Sequence, residues 1–342
     1  MARATAVVAA PTAGPLSRLL GAAARQRELS LVLILIAMVG LVALQAPQVL
    51  SSDNLTDVSV LAAVIAVAAI GEAMVVITRN VDLSVEATMG LVAFAVAGIL
   101  SNGLLPVPLA MLFGVGLGLV LGMINGVVVT LFKVPAIVAT LGTLSVFRGV
   151  DYLVAGSHQV PLASLPPGFT DAARDSFFGV PIFVAIALII MIIGSVILRS
   201  TRFGRQLYAV GSNPEAAAIL GIPSRLVVFT AFSLCGLLAG VAGILYVMEF
   251  GTINGTSATG LVLAVVAAVV VGGVNIFGGS GTLVGALLGA VFLGFIANAL
   301  ILIGLSQFWL QAIYGVVILL AVSADAILVR RIQRATAARR VR

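Results

Sequence analysis

The sequence predicts an all-α polytopic membrane protein with about ten transmembrane helices. Hydrophobic residues make up 61% of its 342 residues and charged residues only 9%, against roughly 25% charged residues in soluble domains. No charged residue lies between Glu86 and Lys133, or between Glu249 and Asp325. Because one crossing needs about 20 apolar residues, such runs hold several consecutive spans. The runs are continuous rather than alternating, which argues against a transmembrane β-barrel.

Turn signals and charges divide the chain into ten apolar segments. The predicted spans are residues 29–47, 56–78, 85–101, 107–131, 135–154, 180–198, 226–249, 259–276, 282–303 and 309–328. The first is interpreted as an uncleaved span, since no convincing small-residue cleavage site follows it. The predicted organisation is an N-terminal cytoplasmic segment (1–28), a transmembrane domain (29–328) with a polar loop at 199–225, and a basic cytoplasmic tail (329–342).

The distribution of basic residues predicts the orientation. Ten crossings place both termini on one side, and if that side is the cytoplasm, sixteen of the 18 basic residues lie inside. Only Arg148 and Arg174 are exceptions. By the positive-inside rule, both termini are expected to be cytoplasmic. The net charge of +6 is explained in this way, and the arginines are not interleaved with aromatic residues as in nucleic-acid-binding surfaces.

Several kinds of chemistry are missing from the sequence. Lys133 is the only lysine, so no GxxxxGK[ST] phosphate loop exists. The glycine-rich stretch GGVNIFGGSGT, residues 272–282, therefore predicts a tight turn between spans eight and nine. Cys235 is the only cysteine, and no His, Cys, Asp and Glu residues have metal-ligand spacing. We expect no catalytic residue, metal or cofactor on this chain.

A few polar residues interrupt the predicted spans, and they are the candidates for a solute pathway. Hydroxyl, amide and aromatic side chains favour a small neutral, hydroxylated solute, although the same groups also serve as interhelical hydrogen-bond partners. The candidates for the pathway are Phe94, Thr140, Asn298 and Gln311. Glu72 is left open, because a carboxylate six residues before Thr78 lies near the predicted cytoplasmic end of its helix and can pair there.

Glycines recur at four-residue spacing in two places. One series is Gly114, Gly118, Gly122 and Gly126, and the other is Gly281, Gly285 and Gly289. Residues four apart share a helix face, so each series predicts the close approach of a neighbouring helix.

The polar loop contains a short helix signal. Asn213 is a helix N-cap, Pro214 fits the first position, Glu215 complements the positive helix end, and Gly221 ends the helix. The predicted helix has two turns, which is too short to be stable alone. Either it lies on its own bundle as a connector, or it presents Ala217, Ile219 and Leu220 to a groove on a soluble partner.

Four motifs resemble those of a known family in the same order. They are RNVDLSV (79–85), KVPAIVATLGTLSVFRG (133–149), FGRQLYAVGSNPEAAAILGI (203–222) and GGVNIFGGSGTLVGALLGA (272–290). The chain resembles the permease subunits of ATP-binding-cassette sugar importers, in the ribose, xylose, rhamnose and autoinducer-2 branch, from about residue 55 to 325. The details are most similar to the rhamnose and autoinducer-2 permeases.

The resemblance implies a transport subunit rather than an enzyme. It implies a second permease subunit, like or unlike, two cytoplasmic ATPase subunits that bind ATP and Mg, and an extracytoplasmic solute-binding protein. The solute would be a monosaccharide such as rhamnose or ribose, or autoinducer-2, and the membrane would be the bacterial inner membrane. The residues that would couple the permease to the ATPase are Arg205, Asn213, Pro214, Glu215, Ala216, Ala217 and Gly221.

Two positions depart from the family pattern. A small residue usually follows DLSV, where this chain has Glu86, and a Glu commonly follows the glycine of span eight, where this chain has Val262. Both differences bear on substrate preference. A secondary transporter or a channel for a small polar solute is the alternative function, but the long charge-free run lacks the coupling-ion residues of a secondary transporter, and a channel leaves the short polar helix without a role.

Overall fold

The apolar segments form helices in a computed structural model that describes residues 27–323 except 173, 174, 178, 251 and 307. The predicted basic tail and all but the last two residues of the predicted N-terminal segment lie outside the described residues. The helices are α1 (Arg27–Gln45), α2 (Ser52–Ile77), α3 (Val85–Ser101), α4 (Val107–Thr130), α5 (Ala136–Ala155), α6 (Pro167–Asp171), α7 (Ile182–Ser200), α8 (Arg202–Ser212), α9 (Pro214–Ile219), α10 (Ser224–Glu249), α11 (Leu261–Val271), α12 (Leu283–Leu302) and α13 (Trp309–Ser323).

Extended structure is confined to two short antiparallel pairs in the described chain. Strand β1 (Val160–Pro161) pairs with β4 (Thr252–Ile253), and β2 (Ser176–Phe177) pairs with β3 (Val180–Pro181). Single-turn 3₁₀ helices cover Pro47–Leu50 and Leu162–Ser164. The predicted all-α membrane fold is confirmed.

Each of the ten predicted spans contains a helix, but three of these helices have fewer than 18 residues in the described part of the chain. Within the described residues, seven are long and apolar enough to cross a membrane: α1, α2, α4, α5, α7, α10 and α12. The shorter ones are α3, α11 and α13. The prediction of a full span at residues 259–276 is wrong, because α11 has only 11 residues. At 1.5 Å per residue it is about 16 Å long, roughly half of a 30 Å hydrocarbon core.

Local capping residues determine where several helices begin. The Ser51 side chain accepts a hydrogen bond from the Asn54 amide (3.3 Å) at the start of α2. The Thr282 side chain accepts one from the Gly285 amide (3.0 Å) at the start of α12. Both satisfy amides that have no partner within the helix.

Helices α2 and α10 form the centre of the bundle. Every residue of α2 from Ala62 to Ile77 is buried. Helix α2 contacts α7, α10, α11 and α12, while α10 also contacts α3 and α4. Because this part of α2 is enclosed on all sides, its apolar residues from Ala62 to Ile77 face protein rather than lipid.

The two glycine series lie at helix crossings, as predicted. A Cβ on Gly118 would lie 2.7 Å from the Gly240 Cα, and one on Gly122 would lie 2.8 Å from the Gly236 Cα, so the partner of α4 is α10. On α12, Gly285 and Gly289 approach Gly272 and Ala268 at the end of α11. Gly281 precedes α12 and belongs to the turn rather than to the crossing.

Two non-helical segments turn back into the bundle from opposite ends. Residues 78–84 follow α2, yet the Asp82 amide donates to Glu72 Oε1 (3.0 Å), about 7 Å back along α2 from Ile77. Residues 254–260 enter from the other end, and the Gly260 amide donates to Glu86 Oε2 (2.7 Å). Helices α3 and α11 therefore both begin inside the bundle and run towards opposite ends.

The α4–α10 crossing gives a test of the packing. We expect Gly118→Ala to lower stability by about 1–3 kcal/mol, because the added methyl group forces two closely packed backbones apart. The measurement is the thermal unfolding midpoint of the detergent-solubilised protein. Gly116→Ala is the matched control, since a Cβ at Gly116 meets no atom within 4 Å. Equal midpoints for the two variants would contradict the close approach.

Candidate functional site

The polar loop forms a helical hairpin, residues 201–222, at one end of the bundle. Asn213 Oδ1 accepts hydrogen bonds from the amides of Glu215 (3.1 Å) and Ala216 (3.0 Å). At the other end of α9, Gly221 has φ +74° and donates to the Ala218 carbonyl, and the Ile222 amide donates to the Ala217 carbonyl. This pair of bonds is the Schellman C-cap. The predicted short helix and both of its caps are confirmed.

Sequence reasoning missed the first helix of the hairpin. Helix α8 precedes α9, and Thr201 caps it by accepting from the Gly204 amide (3.2 Å). Its buried residues are Gly204, Leu207, Val210 and Gly211. The threonine cap and this spacing of three or four residues were the available signals for the helix.

Hydrogen bonds tie the hairpin to two neighbouring segments. The Arg79 side chain donates to the carbonyls of Gly211 and Ser212 (2.6 Å to Ser212). Tyr208 donates to the Gly281 carbonyl (2.8 Å), and burial raises the pKa of Tyr208, which keeps its hydroxyl a donor. The Gly279 amide donates to the Ile77 carbonyl (2.9 Å). The hairpin is thus joined to the return loop after α2 and to the turn 272–282.

The hairpin exposes two large apolar side chains. Ile219 is 87% exposed and Leu220 is 76% exposed. The expectation that Ala217 shares this surface is wrong, because Ala217 is 2% exposed and faces the bundle. The other residues predicted to couple to an ATPase are exposed or half-buried: Arg205, Asn213, Pro214, Glu215, Ala216 and Gly221. The hairpin therefore combines a face packed on its own bundle with a free apolar tip.

A cavity of about 770 Å³ opens at the opposite end of the bundle. It lies between α2, α10, α12, α13 and the segment before α11. Its polar lining residues are Asn54, Asp57, Glu249, Thr256, Thr259, Asn298 and Gln311. Its aromatic lining residues are Tyr246, Phe250, Phe308 and Tyr314. We call this space the outer cavity.

The outer cavity has the chemistry of a site for a hydroxylated solute. The rings of Tyr246 and Phe250 are stacked with their centroids 4.2 Å apart. Asn298 donates to Asn54 Oδ1 (2.8 Å), while Asn298 Oδ1 accepts no hydrogen bond from the described chain. Apolar rings beside a few polar groups that fix orientation are typical of small-molecule sites.

Of the four predicted pathway residues, two line the outer cavity and two do not. Asn298 and Gln311 both line the outer cavity. Phe94 lines a separate cavity of about 610 Å³ beside Asn102 and His158. Thr140 is buried, and its hydroxyl donates to the Ala136 carbonyl (2.8 Å) and the Val81 carbonyl (3.3 Å).

The acidic residue left open by the sequence holds the first return loop. Glu72 is fully buried and accepts from the Asp82 amide, and Cys235 Sγ lies 3.6 Å from its other oxygen. Asp82 accepts from the amide and hydroxyl of Ser84 (2.9 and 2.7 Å), and Asn125 donates to both Asp82 and Ser84. Glu72 therefore binds the return loop inside the bundle and does not pair at the end of its helix.

Among the described residues, no group of three His, Cys, Asp or Glu side chains could hold a metal ion.

Comparisons with known proteins point to one family. The family described as "Branched-chain amino acid transport system / permease component" matches residues 54–322. The autoinducer 2 import system permease protein LsrC of Salmonella paratyphi B is 39% identical over 272 residues, 80% of this chain and 78% of the relative. The proteins of the same name from Enterobacter sp. and Escherichia coli O9:H4 are 37% and 36% identical over 86% and 87% of this chain, and 85% and 86% of the relatives. No solved structure matches the chain.

The tie between Arg79 and the hairpin gives a second prediction. We expect Arg79→Ala to speed amide hydrogen exchange in residues 209–221 by about tenfold or more, because hydrogen bonds from a charged donor contribute about 1.5–3 kcal/mol. Exchange is measured by mass spectrometry on the protein in lipid nanodiscs. Arg202→Ala is the control, since it removes an exposed arginine from the same hairpin. Unchanged exchange in Arg79→Ala would mean that the Arg79 hydrogen bonds do not hold the hairpin in place.

Proposed function

The chain belongs to the family of branched-chain amino acid transport system permease components, and we propose that it is the membrane subunit of an ATP-driven importer of autoinducer-2 or a similar small hydroxylated solute. The solute assignment rests on relatives that are named as autoinducer 2 import permeases. A transport component of this family is not itself a catalyst. The secondary transporter and channel alternatives are not favoured.

The hairpin is the observation that carries the proposal. It is capped at both ends of α9, tied by hydrogen bonds to two other segments, and exposes Ile219 and Leu220. Apolar side chains at this exposure on a fixed hairpin suit a groove on a soluble subunit. Because the only lysine is Lys133, outside any phosphate-loop motif, ATP and Mg belong on partner ATPase subunits.

The remaining partners follow from the same function. The hairpin end faces the cytoplasm, with both termini on that side, and the outer cavity faces the other side of the bacterial inner membrane. A solute-binding protein delivers the solute to the outer cavity, and a second permease subunit, like or unlike, completes the pathway. Asn298 and Gln311 bind the solute, since the outer cavity brings both together with aromatic rings; no contact in the structure supports Phe94 or Thr140 in this role.

Docking of the hairpin is tested by introducing negative charge at its exposed tip, Ile219 and Leu220. We expect Ile219→Asp together with Leu220→Asp to abolish uptake and the co-purification of the ATPase, because two carboxylates would have to be buried in an apolar groove. Uptake of labelled autoinducer-2 and protein level in the membrane are measured in cells with the complete importer. Leu104→Asp is the control, since Leu104 is 68% exposed at the opposite end. Normal uptake in the double variant would refute docking through this tip.

Solute binding in the outer cavity is tested separately. We expect Asn298→Ala and Gln311→Ala each to lower the uptake rate at saturating solute about tenfold, the effect of losing about 1.4 kcal/mol of polar interaction with the delivered solute. Uptake rates are measured against solute concentration for autoinducer-2, ribose and rhamnose. Asn102→Ala is the control, because Asn102 is an exposed amide that lines the other cavity. An unchanged saturating rate in both variants would place the solute site elsewhere.

A further inference from the structure

Three charged side chains lie beneath the outer cavity, inside the bundle. Glu86 is in the first turn of α3, and Arg148 and Asp151 are one turn apart on α5. They are 7%, 7% and 0% exposed, respectively. Arg148 Nη2 lies 3.7 Å from Glu86 Oε1, and Arg148 Nη1 lies 3.4 Å from Asp151 Oδ2. Charges at such depth are costly and usually have a function.

These side chains hold the non-helical segment 255–260, here called the floor segment. Arg148 Nη1 donates to the carbonyls of Ser257 (2.8 Å) and Gly255 (3.3 Å). At its other end, Glu86 Oε2 accepts from the amides of Gly260 (2.7 Å) and Val262 (3.2 Å). Glu86 thereby caps the N-terminus of α11, where a negative charge is favoured.

The floor segment has a backbone conformation that needs such support. Ala258 has φ +62°, an unfavourable conformation for a residue with a side chain, and Gly260 has φ +89°. Residues in this region persist when surrounding contacts determine them. Gly90 leaves room for the segment, because a Cβ there would lie 2.7 Å from the Ser257 carbonyl oxygen.

The floor segment lies between the outer cavity and the buried side chains of Glu86 and Arg148. Thr256, Ala258, Thr259 and Gly260 line the outer cavity. Ser257, between them, is 6% exposed and turns its carbonyl towards Arg148. From this level, α3 runs to the cavity end and α11 to the hairpin end. A solute that leaves the cavity towards the hairpin end along α11 meets this segment first.

We propose that Glu86 and Arg148 are positioning residues that hold the floor segment closed, and that solute passes only when their hydrogen bonds to Gly260 and Ser257 break. The role in transport rests on the proposed function, whereas the closed floor is a property of this chain alone. The Glu86 carboxylate stabilises the floor segment because it lies at the start of α11, and not because it belongs to residue 86. Because the Val262 amide contacts Glu86, we expect a carboxylate introduced at residue 262 to replace it.

Cysteine accessibility tests the closed floor without any transport. The reporter is Ser257→Cys in the full chain in lipid nanodiscs, labelled from both faces with a water-soluble maleimide. Native Cys235 is fully buried, and its labelling is measured in the chain without a reporter. Thr259→Cys is the positive control, because Thr259 is exposed in the cavity. We expect the Ser257→Cys chain with native Glu86 to label slowly and the Thr259→Cys chain to label rapidly.

Variants of Glu86 then give the decisive comparison. We expect Glu86→Ala to speed labelling of the Ser257→Cys reporter at least about tenfold, a change of about 1.4 kcal/mol in the opening equilibrium. Glu86→Gln, the variant closer in shape, is expected to give a smaller increase in the same direction. Glu86→Ala with Val262→Glu is expected to restore slow labelling. Glu72→Gln is the matched control, since it replaces a fully buried carboxyl group that does not contact the floor segment, and it is expected to leave labelling unchanged.

The results that overturn the proposal differ from those that overturn the proposed function. Slow labelling in both Glu86→Ala and Glu86→Gln would show that the floor does not depend on this carboxylate. Equal acceleration by Glu72→Gln, or no rescue by Val262→Glu, would show that the effect is general loosening. In the complete importer, uptake is expected to fall in Glu86→Ala and to recover in the double variant; unaltered uptake in Glu86→Ala would overturn the role in transport. Absence of uptake in the wild-type importer would instead overturn the proposed function, and the labelling result would still decide the state of the floor.

Discussion

The structure depends on one constraint: a polypeptide that leaves the helical conformation inside an apolar bundle must find hydrogen-bond partners for its backbone. This chain does so twice, at residues 78–84 and 254–260. The buried charges at both places serve that need. Glu72 accepts from the Asp82 amide in the first segment, and Arg148 and Glu86 bind the carbonyls and amides of the second. A chain with only 9% charged residues thus places several of its few charges where irregular backbone is deepest.

The two interruptions also explain how distant parts of the molecule are connected. Arg79 begins the first return segment and holds the hairpin, and the same segment leads within a few residues to Glu86. Helix α11 starts at the floor segment and ends at the turn 272–282, whose Gly281 carbonyl accepts from Tyr208 of the hairpin. The hairpin therefore contacts the return segment at Arg79 and the turn that follows α11. The return segment leads to Glu86 and α11 begins after Gly260, and these two residues are joined by a hydrogen bond. Helix α10, which packs closely on α4 through glycines, also contacts α2 and α3, the helices on either side of the return segment.

Sequence patterns predicted the parts of the fold that repeat locally. The apolar runs gave the helices, four-residue glycine spacing gave the α4–α10 face, and the Asn213 and Gly221 signals gave α9 with its caps. Hydropathy could not reveal that α3 and α11 begin inside the bundle, because a return segment with few charges has the same composition as a span. Burial of Ala217 and the separation of Phe94 and Thr140 from the outer cavity depend on tertiary packing, which no local pattern reports. Asn298 and Gln311, which were singled out for their polarity and position, both line the outer cavity.

The two positions that depart from the pattern of the sugar-importer permeases turn out to be neighbours. They are 176 residues apart in the chain, yet Glu86 Oε2 accepts from the Val262 amide at 3.2 Å. A helix N-terminus favours a carboxylate wherever in the sequence that carboxylate originates. A Glu at position 86 or at position 262 is therefore close to the same helix start. Both departures lie at the start of α11, beneath the outer cavity rather than among its lining residues. They would affect substrate preference through the floor segment and not by direct contact from the cavity lining.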